Sequence, residues 1–295
     1  MTSHLHIRLL GTAAGGGLPQ WNCACAGCEA ARRGEIPENG QFSMALSVNG
    51  ADWLLINASP DLREQLLGVP ELHPKALRHS PIKAVLLTNG EIDAVAGLLS
   101  MREGQAFDLW ADPAVHEVLH TSSVFDVLRA VTRKPLPQDT WVEPLAGLRL
   151  RTFAVPGKPA WYLEETKEAD PGDTIGLEVL AAGKRVVILP ACAEFTDALR
   201  SLCDGADALF LDGTLWQDDE MIRAGLAQKT GARMGHISVS GAEGALARTE
   251  GLALGQKIFV HINNSNPILL PATAERRAVE AAGWQIGQAG QIVTL

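Results

Sequence analysis

Cys23, Cys25 and Cys28 place three of the five cysteines of this chain within six residues, just after the glycine run Gly15-Gly16-Gly17. Three thiols this close in sequence cannot all pair with one another as disulfides. As thiolates they can converge on one soft-to-borderline cation, and tetrahedral zinc is the usual occupant of such a set. Three sulfurs leave one corner for a ligand from elsewhere, so the cluster would staple the N-terminal loop to a distant segment. The competing reading is three small buried hydrophobes. The Cys-x-Cys-x-x-Cys spacing, close to that of zinc-binding runs, favours the metal. Cys192 and Cys203 read as buried thiols.

A second set of reactive residue types falls at strand ends. Four apolar runs pass straight into polar loops: Leu55-Ile56 into Asn57-Ala58-Ser59-Pro60-Asp61, Leu86-Leu87 into Thr88-Asn89-Gly90-Glu91-Ile92-Asp93, Leu209-Phe210-Leu211 into Asp212-Gly213-Thr214, and Phe259-Val260 into His261-Ile262-Asn263-Asn264. Ligand sites of α/β folds collect at the carboxyl ends of strands, so these loops are expected to face one cleft. Asn, Asp and Ser also cap helices and make turns, and Asp61 before Leu62 or Asp93 before Val95 suits an N-cap. The two roles are compatible. His236, in Gly235-His236-Ile237-Ser238, precedes a helical pattern. His4, His6, His73, His79, His116 and His120 show no paired spacing with other ligand types and read as surface or core residues. Gly11-Thr12-Ala13-Ala14-Gly15 is not a dinucleotide fingerprint, since Ala13 replaces the second glycine and Pro19 follows in place of a helix.

The elements that must position these residues alternate along the chain. Strands are expected at Leu5–Leu10, Met44–Val48, Trp53–Ile56, Ala84–Leu87, Phe107–Trp110, Leu148–Phe153, Ile175–Leu180, Arg185–Leu189, Ala208–Leu211 and Ile258–Val260. Helical patterns cover Leu62–Leu67, Val95–Met101, Pro113–His120, Phe195–Leu202, Asp218–Ala224, Gly241–Ala247 and Thr273–Ala281. Strands alternating with helices indicate an α/β layered fold. Asn49-Gly50 between two early strands is a hairpin signal, so the sheet is mixed. No linker-like stretch or fixed repeat divides the 295 residues, which are read as one domain spanning 1–295.

Composition excludes several classes of function. No apolar stretch is long enough for a membrane span. The N-terminus lacks a basic segment followed by an apolar one, which argues against a secretory signal. An odd number of cysteines, most of them clustered, suits a reducing cytoplasm. A net charge of −9 argues against sequence-independent nucleic-acid binding.

The stretch Leu87-Thr88-Asn89-Gly90-Glu91-Ile92-Asp93-Ala94-Val95-Ala96-Gly97 resembles the metal-binding loop of the metallo-β-lactamase superfamily, a strand followed by His-x-His-x-Asp-His. Asp93 keeps a ligand type, whereas Asn89, Glu91 and Ala94 stand at the histidine positions. The bridging carboxylate would fall near Pro190-Ala191-Cys192, where no Asp stands. His261 matches the last histidine of the pattern. The segments Gly11 to Cys23, Asn57-Ala58-Ser59-Pro60-Asp61, Gly97 to Gln105, Asp212-Gly213-Thr214, Met234-Gly235-His236 and His261 to Ile268 are similar to the PqqB family, the B proteins of pyrroloquinoline quinone (PQQ) biosynthesis.

The resemblance implies a four-layer αββα sandwich of two mixed sheets with a cleft at the sheet edges. It implies a cytoplasmic role in making PQQ. The family is described both as a carrier assisting transport of PQQ or a precursor towards the periplasm and as an iron-dependent oxygenase hydroxylating the tyrosine of the precursor peptide. Family members carry His where this chain has Ala94, a departure that bears directly on metal chemistry in the cleft. In related phosphodiesterases the fourth structural ligand lies at the position of Asn264, with His261 as the alternative here. In tRNA-processing relatives a histidine like His236 pairs with a carboxylate like Asp212 and acts as an acid. Arg102 is read either as an ion pair with Glu103 or as a fork for a quinone carboxylate. Lys158, in an expected cleft loop, suits the same acid groups.

The expected functions therefore differ in their demands. A carrier needs shape and a few donors such as Asn57, Ser59, Asn89 and His261. An oxygenase needs Fe2+ in the cleft on His236, His261 and Asp93. A superfamily hydrolase needs a metal-activated water and more ligands than remain. The expected cofactors are a structural Zn2+ and, for the oxygenase, that Fe2+. The expected partners are PQQ or a precursor and other PQQ-biosynthesis proteins, with a homodimer left open.

Overall fold

The computed structural model describes residues 4–295. Residues 1–3, which begin the N-terminal segment read for an export signal, lie outside the described residues. Among the described residues no helix is long and apolar enough to cross a membrane.

Strands β1 (His6–Gly11), β2 (Ser43–Ser47), β3 (Trp53–Ile56), β4 (Ile82–Leu86), β5 (Asp108–Ala111) and β6 (Thr132–Pro135) build a first sheet. Strands β7 (Val142–Leu145), β8 (Leu148–Ala154), β9 (Ile175–Ala181), β10 (Lys184–Leu189), β11 (Ala208–Asp212), β12 (Gln256–Val260) and β13 (Gln285–Ile286) build a second. The last strand, β14 (Ile292–Thr294), returns to the first sheet beside β1, giving the orders β14-β1-β2-β3-β4-β5-β6 and β13-β12-β11-β10-β9-β8-β7. β3 to β6 run parallel, as do β10 to β13, and the other neighbours are antiparallel.

Alternation along the strands sets the layers. In β3, Leu54 and Ile56 face the second sheet while Trp53 and Leu55 face outward. In β10, Val186 and Ile188 face the first sheet while Val187 and Leu189 face outward. Both faces of these strands are apolar, so neither can be left to water. The inner faces cover each other, and helices cover the outer ones. α2 (Leu62–Leu67) and α4 (Pro113–Thr121) lay Leu62, Val115 and Leu119 on the first sheet. α5 (Asp197–Cys203) and α6 (Ala274–Ala281) lay Leu199 and Val279 on the second. The result is the expected αββα sandwich with an apolar layer at each interface.

Several expectations shift. β6, β7, β13 and β14 were absent from the sequence reading because edge strands pair on one side and carry polar residues, as Thr132-Arg133-Lys134-Pro135 does. The expected hairpin exists, with Asn49 accepting from the amides of Ala51 and Asp52 in a loop longer than two residues. Neither Asp61 nor Asp93 caps a helix with its side chain. Asp61 takes the amide and side chain of Gln41 instead. Asp93 lies inside the short helix α3 (Ile92–Val95) and points elsewhere.

Candidate functional site

The loops after β4, β11 and β12 meet the β8–β9 connection around a cavity of about 440 Å³. Its wall includes Asn89, Glu91, Asp93, Lys158, His236 and His261. Asp93 comes from the first sheet and His261 from the second, so the cavity sits on the seam between them. None of His4, His6, His73, His79, His116 and His120 lines it.

Behind this wall lies a hydrogen-bonded chain. The Asp212 carboxylate is fully buried at the end of β11. Its Oδ2 takes the Cys192 amide at 3.0 Å and faces His236 Nδ1 at 2.8 Å. Its Oδ1 lies 2.6 Å from the Thr214 hydroxyl. That hydroxyl is also 2.8 Å from the His261 carbonyl and 2.9 Å from His261 Nδ1. It has one proton, and two oxygens compete for it at shorter range than the ring nitrogen. It therefore presents a lone pair to His261 Nδ1–H, just as Asp212 accepts from His236 Nδ1–H. Both imidazoles are thereby held with Nδ1 occupied, leaving Nε2 for chemistry in the cavity.

The two rings stack, centroids 4.9 Å apart at 19°. His261 Nε2 lies 3.0 Å from Asp93 Oδ2. Burial disfavours the imidazolium of His261, but the hydrogen bond and charge of Asp93 overcome it and raise its pKa. Burial likewise works against the Asp93 carboxylate, and His261 outweighs it, holding the acid below its ordinary range. His261 adopts φ +55°, a conformation costly for a residue with a Cβ. Its neighbour holds it there, the Ile262 amide donating to Thr12 O at 2.8 Å. Ala191 lines the cavity where the superfamily pattern places a carboxylate, and Ala94 is buried beside Asp93.

The structure brings together Asn89, Asp93, Lys158, His236 and His261 at the cavity, with Asp212 directly behind. It does not bring Asn57, Ser59 or Arg102 there. Asn57 is buried and spends its side chain on Thr88, donating to Oγ1 at 2.9 Å and accepting from the amide at 2.9 Å. Ser59 is buried and donates to Gln65 at 2.9 Å. Arg102 is exposed, bonding Leu99 O and lying 3.7 Å from Glu103. Sequence reasoning missed Glu164 and Lys229, whose positions follow no motif, and gave Glu91 a motif position but no role at the cavity. It quoted Thr214 without a role, although a hydroxyl two residues after a strand-terminal Asp was the available signal.

The cysteines also converge: one sulfur from each lies within 4.8 Å of the others. Cys28 sits in α1 (Ala26–Arg32), a helix the sequence reading did not foresee. The Asn264 side chain lies 3.1 Å from Cys28 Sγ, and its carbonyl lies 3.3 Å from Cys25 Sγ. Gly27 permits this approach, because a Cβ there would stand 2.3 Å from the Asn264 carbonyl. Burial pushes the Cys25 thiol up to about 12, with neighbouring Cys23 and Cys28 adding to the rise. Burial opposes the Cys23 thiolate, but hydrogen bonds with Cys25, Cys28 and Asn264 outweigh it and lower its pKa, so the cluster favours one thiolate and calls for a cation to hold more. Of the two residues expected near the cysteines, Asn264 lies against their sulfurs, with its side-chain nitrogen on Cys28 and its backbone carbonyl on Cys25, while His261 faces Asp93 in the cavity.

Two mixed sheets, helices outside, and a His/Asp-lined cavity on the seam define a protein of the metallo-β-lactamase fold class. The family model described as Beta-lactamase superfamily domain matches residues 52–262. The coenzyme PQQ synthesis protein B of Bradyrhizobium diazoefficiens is 51% identical over 99% of this chain and 100% of its own length. That of Methylobacterium radiotolerans is 48% identical over the same shares. The crystal structure of Zn(2+)-bound PqqB from Methylobacterium extorquens superposes with a TM-score of 0.94 at 45% identity, covering 98% of this chain and 99% of that one. The chain belongs to the coenzyme PQQ synthesis protein B family. A diphosphatase of the PhnP family shares the fold, with a TM-score of 0.71 at 20% identity.

Proposed function

We propose that this protein acts in PQQ biosynthesis by seating PQQ or a late precursor in the seam cavity, against a metal position formed by Asp93, His236 and His261. The observation that carries this reading is the proton arrangement behind the wall. Asp212 and Thr214 occupy both Nδ1 atoms, so an ion held here would be met by Nε2 of each ring, that of His261 exchanging its 3.0 Å contact with Asp93 for the metal. Two imidazoles and a carboxylate suit a non-heme ferrous ion with open positions. Such an ion, when bound, supplies the redox chemistry for oxygen insertion into a phenol ring. The chain itself orients the rings, excludes water and holds the ligand.

The same fit argument assigns a structural zinc to Cys23, Cys25 and Cys28 with Asn264 completing the corner. The zinc-bound relative supports it. The expected partners are PQQ or its precursor and other proteins of the pathway, in the cytoplasm.

The carrier reading draws on Ala94, which stands where the family resemblance implies an imidazole. Metal content per chain, before and after anaerobic ferrous loading and desalting, separates the two. Retained zinc without iron favours the carrier. Retained zinc with about one iron favours the oxygenase, and Ala94→His should then raise iron retention and oxygen-dependent tyrosine hydroxylation together. No gain in either would count against the oxygenase.

A further inference from the structure

The cavity contains two lysines that converge on one carboxylate of the chain itself. Lys158 Nζ lies 2.7 Å from Glu91 Oε1 and 2.9 Å from Glu164 Oε1. Lys229 bonds the other oxygen of Glu164. All four side chains line the cavity. Glu164 therefore bridges two cations from opposite sides, as a bound acid would.

Its seat fits it imperfectly. Glu164 Oε1 is buried, yet no donor meets it in hydrogen-bonding geometry. The approach of Lys158 is an ion pair by distance only. Lys229 and then Lys158 still hold the carboxylate below its ordinary range, but the contact at Oε1 falls short of a formed hydrogen bond and is the weaker of the two. Glu164 also sits on the connection between β8 and β9, which has no strand of its own. That connection is tied to the cavity rim by Tyr162, which donates to Gly90 O at 2.7 Å, and by the Trp161 amide, which donates to Glu91 at 3.1 Å. Next to these ties, the Trp161 side chain lines the cavity while staying 64% exposed. An exposed indole at a cavity mouth offers a flat apolar face to a planar ring.

We infer that Lys158 and Lys229 form the carboxylate subsite of the cavity, that Glu164 is its resident stand-in, and that an aromatic carboxylate displaces Glu164 while its ring packs on Trp161. The inference rests on the reading of the cavity as the seat of PQQ or its precursor. Glu91 keeps Lys158 charged and placed in either state. Lys229 exchanges one carboxylate for another, so no charge is left unpaired in the cavity. Glu164, once released, lies at a loop that can carry it into water.

The test is calorimetric titration of the full-length protein with PQQ as the probe and its trimethyl ester as the carboxylate-free control. Glu164→Gln should tighten PQQ binding by about tenfold, the worth of removing one competing charged hydrogen bond. Lys229→Met should weaken it by about as much. Neither change should alter binding of the ester. A gain in affinity cannot come from misfolding, so Glu164→Gln keeps the test sound even if the lysine variant is unstable. PQQ binding unchanged or weakened by Glu164→Gln overturns the subsite and leaves the broader reading standing. PQQ failing to bind any form, wild type included, overturns both.

Discussion

The Thr214 hydroxyl and His261 meet twice, at 2.9 Å to Nδ1 and 2.8 Å to the carbonyl. One hydroxyl thereby sets the tautomer of the imidazole and braces the left-handed backbone that aims it. Thr214→Val keeps the shape and removes both contacts. Affinity of the cavity for a divalent metal should fall about 10–100-fold, the usual cost of losing a partner behind a ligating histidine. Competition with a chelator measures it, and Thr214→Ser should restore it. Equal metal retention by the valine variant would show that His261 needs no such support.

The cysteine cluster makes a separate prediction. Cys28→Ser should lose the retained zinc and lower the melting temperature, because metal binding energy at such a site is folding energy. Strong chelators should lower the melting temperature of the wild type in the same way. A zinc content unaffected by Cys28→Ser, read by elemental analysis, would move the metal elsewhere.

Gly27 tests how that site is built. It occupies the middle of the cysteine run because any Cβ would collide with the Asn264 carbonyl. Gly27→Ala leaves all three thiols in place and favours the helix by propensity, by up to about 1 kcal/mol. It should nonetheless release zinc more readily, since α1 must back away from Asn264. Zinc release followed with a colorimetric chelator decides the point. Unchanged release would mean that Asn264 is not needed at the fourth corner.

Glu178 carries a pH prediction far from the cavity. On β9 it faces Arg151 Nε and Arg185 Nε, each at 2.6 Å. Burial opposes its charge, but the two guanidinium groups overcome this and hold its pKa below the ordinary 4.5. The folded carboxylate therefore releases its proton more readily than the unfolded one. The stabilisation is complete above about pH 4.5 and is lost as the pH falls through the lowered value. Glu178→Gln should cost about 2 kcal/mol at pH 7, less than for a fully buried pair because both arginines keep some solvent. The gap between variant and wild-type melting temperatures should narrow towards pH 3. A gap independent of pH would rule out the ion pair as its source.

Local chemistry is what the sequence carries well. Cys23, Cys25 and Cys28 are near neighbours in the chain, so their spacing announces a shared ligand before any fold is known. The interior strands were legible for the same kind of reason. Leu54 and Ile56 alternate with Trp53 and Leu55, and apolar residues on both faces demand a layer on each side. The departure at Ala94 is likewise a fact of the sequence. By contrast, β6 and β14 escaped notice because an edge strand takes its identity from the neighbour it pairs with, not from its own residues.

Tertiary structure alone decided which polar residues face the cavity. Asn57 and Asn89 stand at the ends of adjacent parallel strands in similar loops, yet Asn57 turns inward to Thr88 and Asn89 lines the wall. Asp93 and His261 are separated by 168 positions and join only because the sheets stack. Lys158 and Glu164 share the β8–β9 connection and meet Lys229 from the β11–β12 connection and Glu91 from the loop after β4 of the other sheet. Such convergence depends on how two sheets register across an apolar interface. Spacing along the chain holds no record of it.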